Sequence, residues 1–219
     1  MKAQAPTAVK ICGITTVNQA LSIASLGADA IGTIGVPESP RFLSEKKRRV
    51  VFESLIKNAP SVERVWVVAN LDSNSILQGL KGIGAPTIVQ LHGSESRQKC
   101  IDLKRLYPHI KFWKSFQIRH PKDLDFAKSF QDCVDALLID AWSSKSLGGT
   151  GQRVPTELLS KINFDVPWWL AGGVSIDWIK TVILKIKPFG IDASIKLEIN
   201  PGIKDLGKVK ALLDEVKGT

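Results

Sequence analysis

Two titratable side chains in this chain stand at the ends of short, largely apolar runs. Residues 9–11 lead into Cys12, which Gly13 follows, and residues 136–139 lead into Asp140. A thiolate can remove a proton and a carboxylic acid can donate one, so these two side chains could serve as general base and general acid. Free cysteine has a pKa of about 8.5, so a base role for Cys12 requires positive surroundings. An acid role for Asp140 near neutral pH requires burial or a neighbouring negative charge that raises its pKa.

Both residues also have an ordinary structural role open to them. A free cysteine packs in a core as a small apolar side chain, and an aspartate can cap a helix or a loop. Aspartate is seldom fully buried without a partner, however, and Asp140 closes an apolar run. The remaining cysteines, Cys100 and Cys133, are interpreted as core residues.

Five further residues follow apolar runs or short loops, where they could hold a substrate: Arg41, His92, Gly172, Gly173 and Ser194. The guanidinium of Arg41, beside Pro40, could bind a carboxylate through two parallel hydrogen bonds, or it could be a surface arginine. His92 could line a site or be a hydrogen-bonded structural histidine. The double glycine could offer backbone N–H groups to a phosphate or simply permit a turn. Residues 148–151 are glycine-rich but lack the sequence of a Walker loop, and we interpret them as a loop over the site.

The elements that would position these residues form an alternating pattern of short strands and longer amphipathic segments. The predicted strands are residues 9–14, 30–36, 64–69, 87–91, 111–116, 136–140, 168–171 and 190–194. In the last segment, apolar residues recur at helical spacing at Leu206, Val209, Leu213 and Val216. Eight strand–helix units fit 219 residues at about 27 residues each, close to the minimum for a βαβ repeat. The pattern therefore predicts an α/β protein with a single (β/α)8 TIM barrel, with an open doubly wound sheet as the alternative.

A parallel barrel would bring the candidate residues to one face. Its active site lies at the carboxyl ends of the strands, where Cys12 and Asp140 would meet across the mouth. Gly172, Gly173 and Ser194 would follow the seventh and eighth strands, which commonly hold a phosphate in this architecture.

Composition and charge limit the possible partners. The chain has a net charge of +9 and a mean hydropathy of +0.04, which suits a globular protein. The basic run at residues 46–49 lacks interleaved aromatics, so it is interpreted as the exposed side of a helix and not as a nucleic-acid site. Three cysteines without a CxxC pair favour a reducing, cytoplasmic setting and no metal site. Residues 1–8 are interpreted as a flexible N-terminal segment without a signal sequence, residues 9–219 as one barrel domain, and no membrane span is expected.

Taken together, the motifs resemble the phosphoribosylanthranilate isomerase family. The resemblance rests on residues 10–15, 39–41, 89–93, Asp140 with 148–151, residues 170–173, and residues 201–205. It implies a (β/α)8 barrel that converts N-(5′-phosphoribosyl)anthranilate to 1-(2-carboxyphenylamino)-1-deoxyribulose 5-phosphate, a step of tryptophan biosynthesis, without metal or organic cofactor. It implies that Cys12 is the general base, Asp140 the general acid and Arg41 the residue that holds the anthranilate carboxylate. The ends of the seventh and eighth strands match the phosphate site, and the oligomeric state is left as monomer or homodimer.

The chain departs from this family's pattern after the eighth strand. The family usually has a small residue and a glycine where this chain has Ile195 and Lys196. Glycine would let the backbone approach a phosphate closely, whereas Lys196 offers a charge contact instead. The family's aromatic positions at residues 33 and 152–154 are also absent.

Two other functions stay open from the sequence. One is a related phosphate-binding barrel, a sugar-phosphate epimerase or the histidine-pathway isomerase. The first would be expected to use metal ligands and the second two aspartates, so Cys12 disfavours both. The other is a phosphosugar-binding protein that has lost catalysis, which the changes at Ile195 and Lys196 suggest.

Overall fold

The computed structural model describes residues 7–141 and 154–218. Its strands are β1 Ala8–Cys12, β2 Ala30–Ile34, β3 Glu63–Val68, β4 Ile88–Leu91, β5 Lys111–Ile118, β6 Ala136–Ala141, β7 Trp168–Leu170 and β8 Gly190–Ala193, followed by the hairpin strands β9 Glu198–Asn200 and β10 Ile203–Lys204. Its helices are α1 Val17–Ser25, α2 Glu45–Asn58, α3 Ser73–Leu80, α4 Arg97–Leu106, α5 Pro121–Lys128, α6 Thr156–Leu159, α7 Ile176–Thr181 and α8 Leu206–Lys217. Alternation of these elements confirms the order predicted from the sequence.

The first eight strands form one closed parallel barrel in sequence order, with β8 paired to β1. The prediction of a (β/α)8 barrel is therefore confirmed, and the open doubly wound sheet is wrong. Ala8 pairs with Gly190, so the barrel begins one residue earlier than the predicted boundary after residue 8. The strand β5 extends to Ile118, two residues beyond the predicted end, because its last residues still pair with β6.

Local sequence signals account for the helix starts. The carboxylate of Asp205 accepts a hydrogen bond from the backbone N–H of Lys208 and so caps the start of α8. Pro121 is the first residue of α5, where a missing N–H costs nothing. The apolar stripe of α8 is buried at Val209, Leu213 and Val216 and packs onto the barrel.

Large side chains fill the barrel interior at its amino-terminal end. The rings of Trp113 and Trp169 lie 4.6 Å apart and pack with Val65, Ile88 and Leu138. A side chain at Gly190 would come within 2.5 Å of the Trp169 ring, so only glycine fits there. A second cavity of about 460 Å³ opens at this end and is lined by Ile88, Trp113 and Trp169 among others, but by none of the seven candidate residues. The candidate residues belong to the carboxyl end, where the active site of a parallel barrel lies.

The basic run in α2 does not lie entirely on an exposed face, contrary to the sequence interpretation. Arg48 is 1% exposed, and its guanidinium lies over the Trp66 ring at 4.4 Å. It donates hydrogen bonds to the carbonyl oxygens of Gly79 at 3.0 Å and Gly84 at 3.4 Å. Burial lowers the pKa of Arg48 to about 10, which leaves it charged at neutral pH. The run thus provides a structural cation that ties α2 to the end of α3.

We expect Arg48→Ala to lower the free energy of unfolding by about 2–4 kcal/mol, because it opens a cavity and leaves two carbonyl groups without their donor. Urea unfolding followed by circular dichroism measures the change. The matched control is Lys47→Ala, one residue away and exposed, which should change stability by less than about 0.5 kcal/mol. Equal losses for the two variants would contradict a structural role for Arg48.

Candidate active site

One cavity of about 440 Å³ opens at the carboxyl ends of the barrel strands. All seven residues predicted to act on or hold a substrate line it: Cys12, Arg41, His92, Asp140, Gly172, Gly173 and Ser194. They come from six different loops or strand ends, since Gly172 and Gly173 share one. Closure of the barrel is what brings them together, as parallel strands end at the same rim.

Two glycines near Cys12 make room for functional side chains, Gly13 for Arg41 and Gly32 for the thiol itself. Gly13 has a φ of +80°, and a side chain there would lie 2.6 Å from Cδ of Arg41. On the neighbouring strand, a side chain at Gly32 would lie 2.8 Å from Sγ of Cys12 and 3.1 Å from Nζ of Lys10. Thiol and ammonium therefore occupy the space above Gly32, on the inner side of the barrel.

Lys10 is a buried cation that the sequence analysis did not single out. Its side chain has no exposed surface, and Nζ lies 2.8 Å from Oδ2 of Asp192 on β8. Burial alone would lower the pKa of Lys10, but the charges of Asp192 and of the Cys12 thiolate outweigh it and raise the pKa above its usual value. Lys10 therefore stays protonated at neutral pH. Its signal in the sequence is a charged residue two positions before Cys12 in an otherwise apolar strand, which places both side chains on one face.

The surroundings of the Cys12 thiol favour its neutral form. Burial raises its pKa, and Asp192 adds to that rise. The ammonium of Lys10 acts in the opposite direction through its charge and a hydrogen bond, with a smaller contribution from Lys204. Lys10 is thus the main group that favours the thiolate.

Asp140 lies at the end of β6 and is 5% exposed. Burial and the negative charge of Asp192 raise its pKa to about 7, against a hydrogen bond from the Ala141 N–H and the charge of Lys10. Ala141 donates that bond over 2.8 Å. A carboxyl group with this pKa carries its proton on a large share of molecules at neutral pH, as a general acid requires.

His92 faces Asp140 from the end of β4. Its Nε2 lies 3.9 Å from Oδ2 of Asp140, and its Nδ1 lies 3.1 Å from the side-chain nitrogen of Gln90. The His92 ring thus lies between Gln90 and Asp140. Gln90 is buried and also donates to Oγ of Ser115 at 3.2 Å. The sequence analysis missed it, although a polar residue inside an apolar strand is the signal.

Arg41 is paired within the protein. Its Nε and Nη2 donate to the two carboxylate oxygens of Glu198 at 2.8 and 2.6 Å. The sequence analysis predicted that Arg41 holds a substrate carboxylate and did not foresee Glu198. Arg41 nevertheless lines the cavity, opposite the loop after β7.

The loops after β7 and β8 form the wall where a phosphate is expected. Gly172 and Gly173 have φ of +80° and +63°, and a side chain at Gly172 would lie 2.7 Å from Oδ1 of Asp140. The hydroxyl of Ser194 donates to the carbonyl oxygen of Cys12 at 3.0 Å. Lys196 is exposed and lines the same wall as Ile195.

Part of the predicted site lies outside the described residues. This applies to the glycine-rich residues 148–151 and to positions 152 and 153, whereas Val154 is described and buried. Across residues 7–141 and 154–218, no three His, Cys, Asp or Glu side chains are arranged to hold a metal ion. None of the helices in these two ranges is long and apolar enough to cross a membrane.

In both sequence and fold, this chain is similar to known proteins. The family model of N-(5′-phosphoribosyl)anthranilate isomerase matches residues 9–215 of this chain. A curated relative from Synechococcus elongatus, named N-(5′-phosphoribosyl)anthranilate isomerase, is 40% identical over 208 residues, which cover 95% of each chain.

Solved structures agree with the sequence comparison. The phosphoribosyl anthranilate isomerase from Thermotoga maritima matches with a TM-score of 0.86 and 27% identity, over 97% of this chain and 100% of that one. A phosphoribosyl anthranilate isomerase in complex with reduced 1-(o-carboxyphenylamino)-1-deoxyribulose 5-phosphate matches with a TM-score of 0.80 and 26% identity, over the same shares of the two chains.

Replacing Lys10 by methionine is expected to raise the pKa of the Cys12 thiol further, because the variant loses the main charge that opposes burial. In the Lys10→Met variant, the rate at which iodoacetamide alkylates Cys12 should begin to increase at a higher pH than it does in the wild type. Cys12→Ser provides the background from Cys100 and Cys133, which are also free thiols. An unchanged alkylation profile would contradict the assigned influence of Lys10.

Proposed function

This chain belongs to the N-(5′-phosphoribosyl)anthranilate isomerase family, and we propose that it catalyses that isomerisation with Cys12 as general base and Asp140 as general acid. The product is 1-(2-carboxyphenylamino)-1-deoxyribulose 5-phosphate. The observation that carries the residue assignment is the shared cavity, in which a thiol beside an ammonium and a carboxyl group with a pKa of about 7 line the same walls.

Asp140 acts first in the proposed mechanism. It donates its proton to the ring oxygen of the ribose, the bond between C1 and that oxygen breaks, and the anthranilate nitrogen supplies the electron pair that forms an iminium ion. Burial suits Asp140 to this step, because it keeps the proton available near neutral pH.

Cys12 acts second. The positive iminium makes the proton on C2 acidic. In molecules where the Cys12 thiol has lost its proton to solvent, the thiolate removes the C2 proton to give an enolamine, which tautomerises to the ketone. The ammonium of Lys10 stabilises the thiolate while it forms, since it is buried beside the sulfur and stays protonated. Each positioned proton transfer contributes about 10²- to 10⁴-fold in rate.

Binding of the substrate at both ends orients the ribose between the two groups. Arg41 binds the anthranilate carboxylate, and the backbone at Gly172, Gly173 and Ser194 binds the phosphate. Lys196 adds a charge contact to the phosphate, which compensates for the glycine that this loop lacks. His92 lies at the wall next to Asp140 and contacts the substrate from that side.

The proposal includes a small phosphorylated substrate and no metal or organic cofactor. A cytoplasmic location is supported by the three free, buried cysteines, which suit a reducing compartment. We expect the protein to be either a monomer or a homodimer.

The proposed roles predict that Cys12→Ala and Asp140→Ala each lower kcat by about 10²- to 10⁴-fold, because each removes one positioned proton transfer. Loss of fluorescence of freshly prepared phosphoribosylanthranilate measures the reaction. Cys133→Ser is the matched control, since this buried thiol lies away from the cavity, and it should keep near wild-type kcat. A wild-type protein that binds the reduced product but does not accelerate the reaction would instead support a binding protein that has lost catalysis.

A second expectation concerns the phosphate wall. Lys196→Met should raise KM about tenfold with little change in kcat, and KM of the variant should depend less on salt concentration, because a charge contact is removed. The control is Lys185→Met, which removes an exposed lysine outside the cavity. If the two variants have the same KM, Lys196 does not contact the phosphate.

A further inference from the structure

Two buried charged residues behind the cavity belong to the β9–β10 hairpin, which the sequence analysis did not predict. Lys204 is 3% exposed and its side chain has no exposed surface. Its Nζ donates to Oε1 of Glu198 at 2.8 Å, and to the carbonyl and hydroxyl oxygens of Ser194 at 3.2 Å each. One cation thus joins the hairpin to the loop after β8.

Glu198, the partner of Lys204, accepts further hydrogen bonds. Besides Lys204, its carboxylate accepts two hydrogen bonds from the Arg41 guanidinium and one from the backbone N–H of Gly202, over 3.1 Å. Burial acts to raise the pKa of Glu198, but the hydrogen bonds from Arg41 and Lys204 outweigh burial and lower it. The carboxylate is therefore ionised at neutral pH.

The network reaches both ends of the proposed substrate site. On one side it ends at Arg41, and on the other at Ser194, whose hydroxyl donates to the carbonyl oxygen of Cys12. Both of these residues also lie against Gly13, where an added side chain would meet Cδ of Arg41 at 2.6 Å and Oγ of Ser194 at 3.3 Å. A shift of the hairpin would move Arg41 and Ser194 together.

We propose that Glu198 and Lys204 are positioning residues that set Arg41 and Ser194 for the two anionic ends of the substrate. The inference rests on the proposed function, because it assigns those ends to Arg41 and Ser194. A guanidinium has five N–H donors, and Glu198 uses two of them while it fixes the plane of the group. Arg41, Glu198 and Lys204 together carry one net positive charge, so the pairing keeps the attraction for a carboxylate.

Stability alone does not account for this arrangement. Buried ion pairs replaced by apolar residues of similar volume often leave a protein equally stable or more stable, because desolvation offsets their attraction. We therefore infer that the charges of Arg41, Glu198 and Lys204 serve to fix the positions of the side chains around them. The same pairing fixes the side chain of Arg41 before substrate arrives, which reduces the entropy lost on binding.

The test is a double-mutant cycle of Glu198→Gln and Arg41→Met, assayed with phosphoribosylanthranilate. Glu198→Gln keeps the shape of the side chain but removes its charge, and it should raise KM about tenfold while kcat stays within about threefold. In the Arg41→Met background the same change should alter KM by less than about twofold, because Glu198 acts through Arg41. Lys204→Met should raise KM also, and Lys208→Met, at an exposed lysine nearby, should not.

Several outcomes would overturn the proposal. Equal effects of Glu198→Gln on KM with and without Arg41 would show that Glu198 does not act through it. A fall in kcat with unchanged KM would also contradict positioning of the anion-binding groups. The midpoint of urea unfolding, measured for each variant, identifies any variant that does not fold. If Glu198→Gln does not fold, Lys204→Met replaces it in the double-mutant cycle. If neither variant folds, the role of Glu198 and Lys204 is in stability and the proposal is wrong. Failure of the proposed function is distinct, because the wild type itself would then be inactive.

Discussion

The ammonium of Lys10 lies between the carboxylate of Asp192 and the thiol of Cys12, with no exposed surface. Electrostatic effects are strong at such a position, because little water screens the charges. Asp192 holds Lys10 in its charged form and raises the pKa of Asp140, and Lys10 in turn opposes the rise that burial imposes on the thiol. The proton affinities of the proposed acid and base are therefore coupled through one ion pair.

Space at the barrel mouth is the second constraint. The thiol of Cys12 and the ammonium of Lys10 leave no volume for a side chain at Gly32. Asp140 leaves none at Gly172. At Gly13, the positive φ turns the chain directly after Cys12 and admits Arg41. Glycine is used at the points where functional side chains must approach the backbone, and large aromatic residues close the opposite end of the barrel.

Buried charge is distributed over two layers of this site. Lys10 and Asp192 lie next to the proposed base Cys12, and they are 182 positions apart in the sequence. Glu198 and Lys204 belong to one hairpin, where Glu198 pairs with Arg41, the proposed anion-binding side chain. Ile195 and Lys196 line the same cavity, on the wall proposed to bind the phosphate.

The sequence by itself determined the order of strands and helices, the barrel, and the residues at the strand ends, because apolar periodicity and parallel topology place every strand end on one rim. The seven candidate residues follow from that rule, and the structure brings them to one cavity. The exposed face predicted for the basic run was wrong at Arg48, since the direction in which a helix faces depends on its neighbours. Lys10 and Gln90 carried a signal as polar residues inside apolar strands, whereas Glu198 and Lys204 look like ordinary polar residues until their partners are known. Only the tertiary structure buries Asp140, brings Asp192 near it and places Asp192 beside Lys10, 182 positions away. It therefore decides the pKa of Asp140, because electrostatic energy depends on burial and on distance in space.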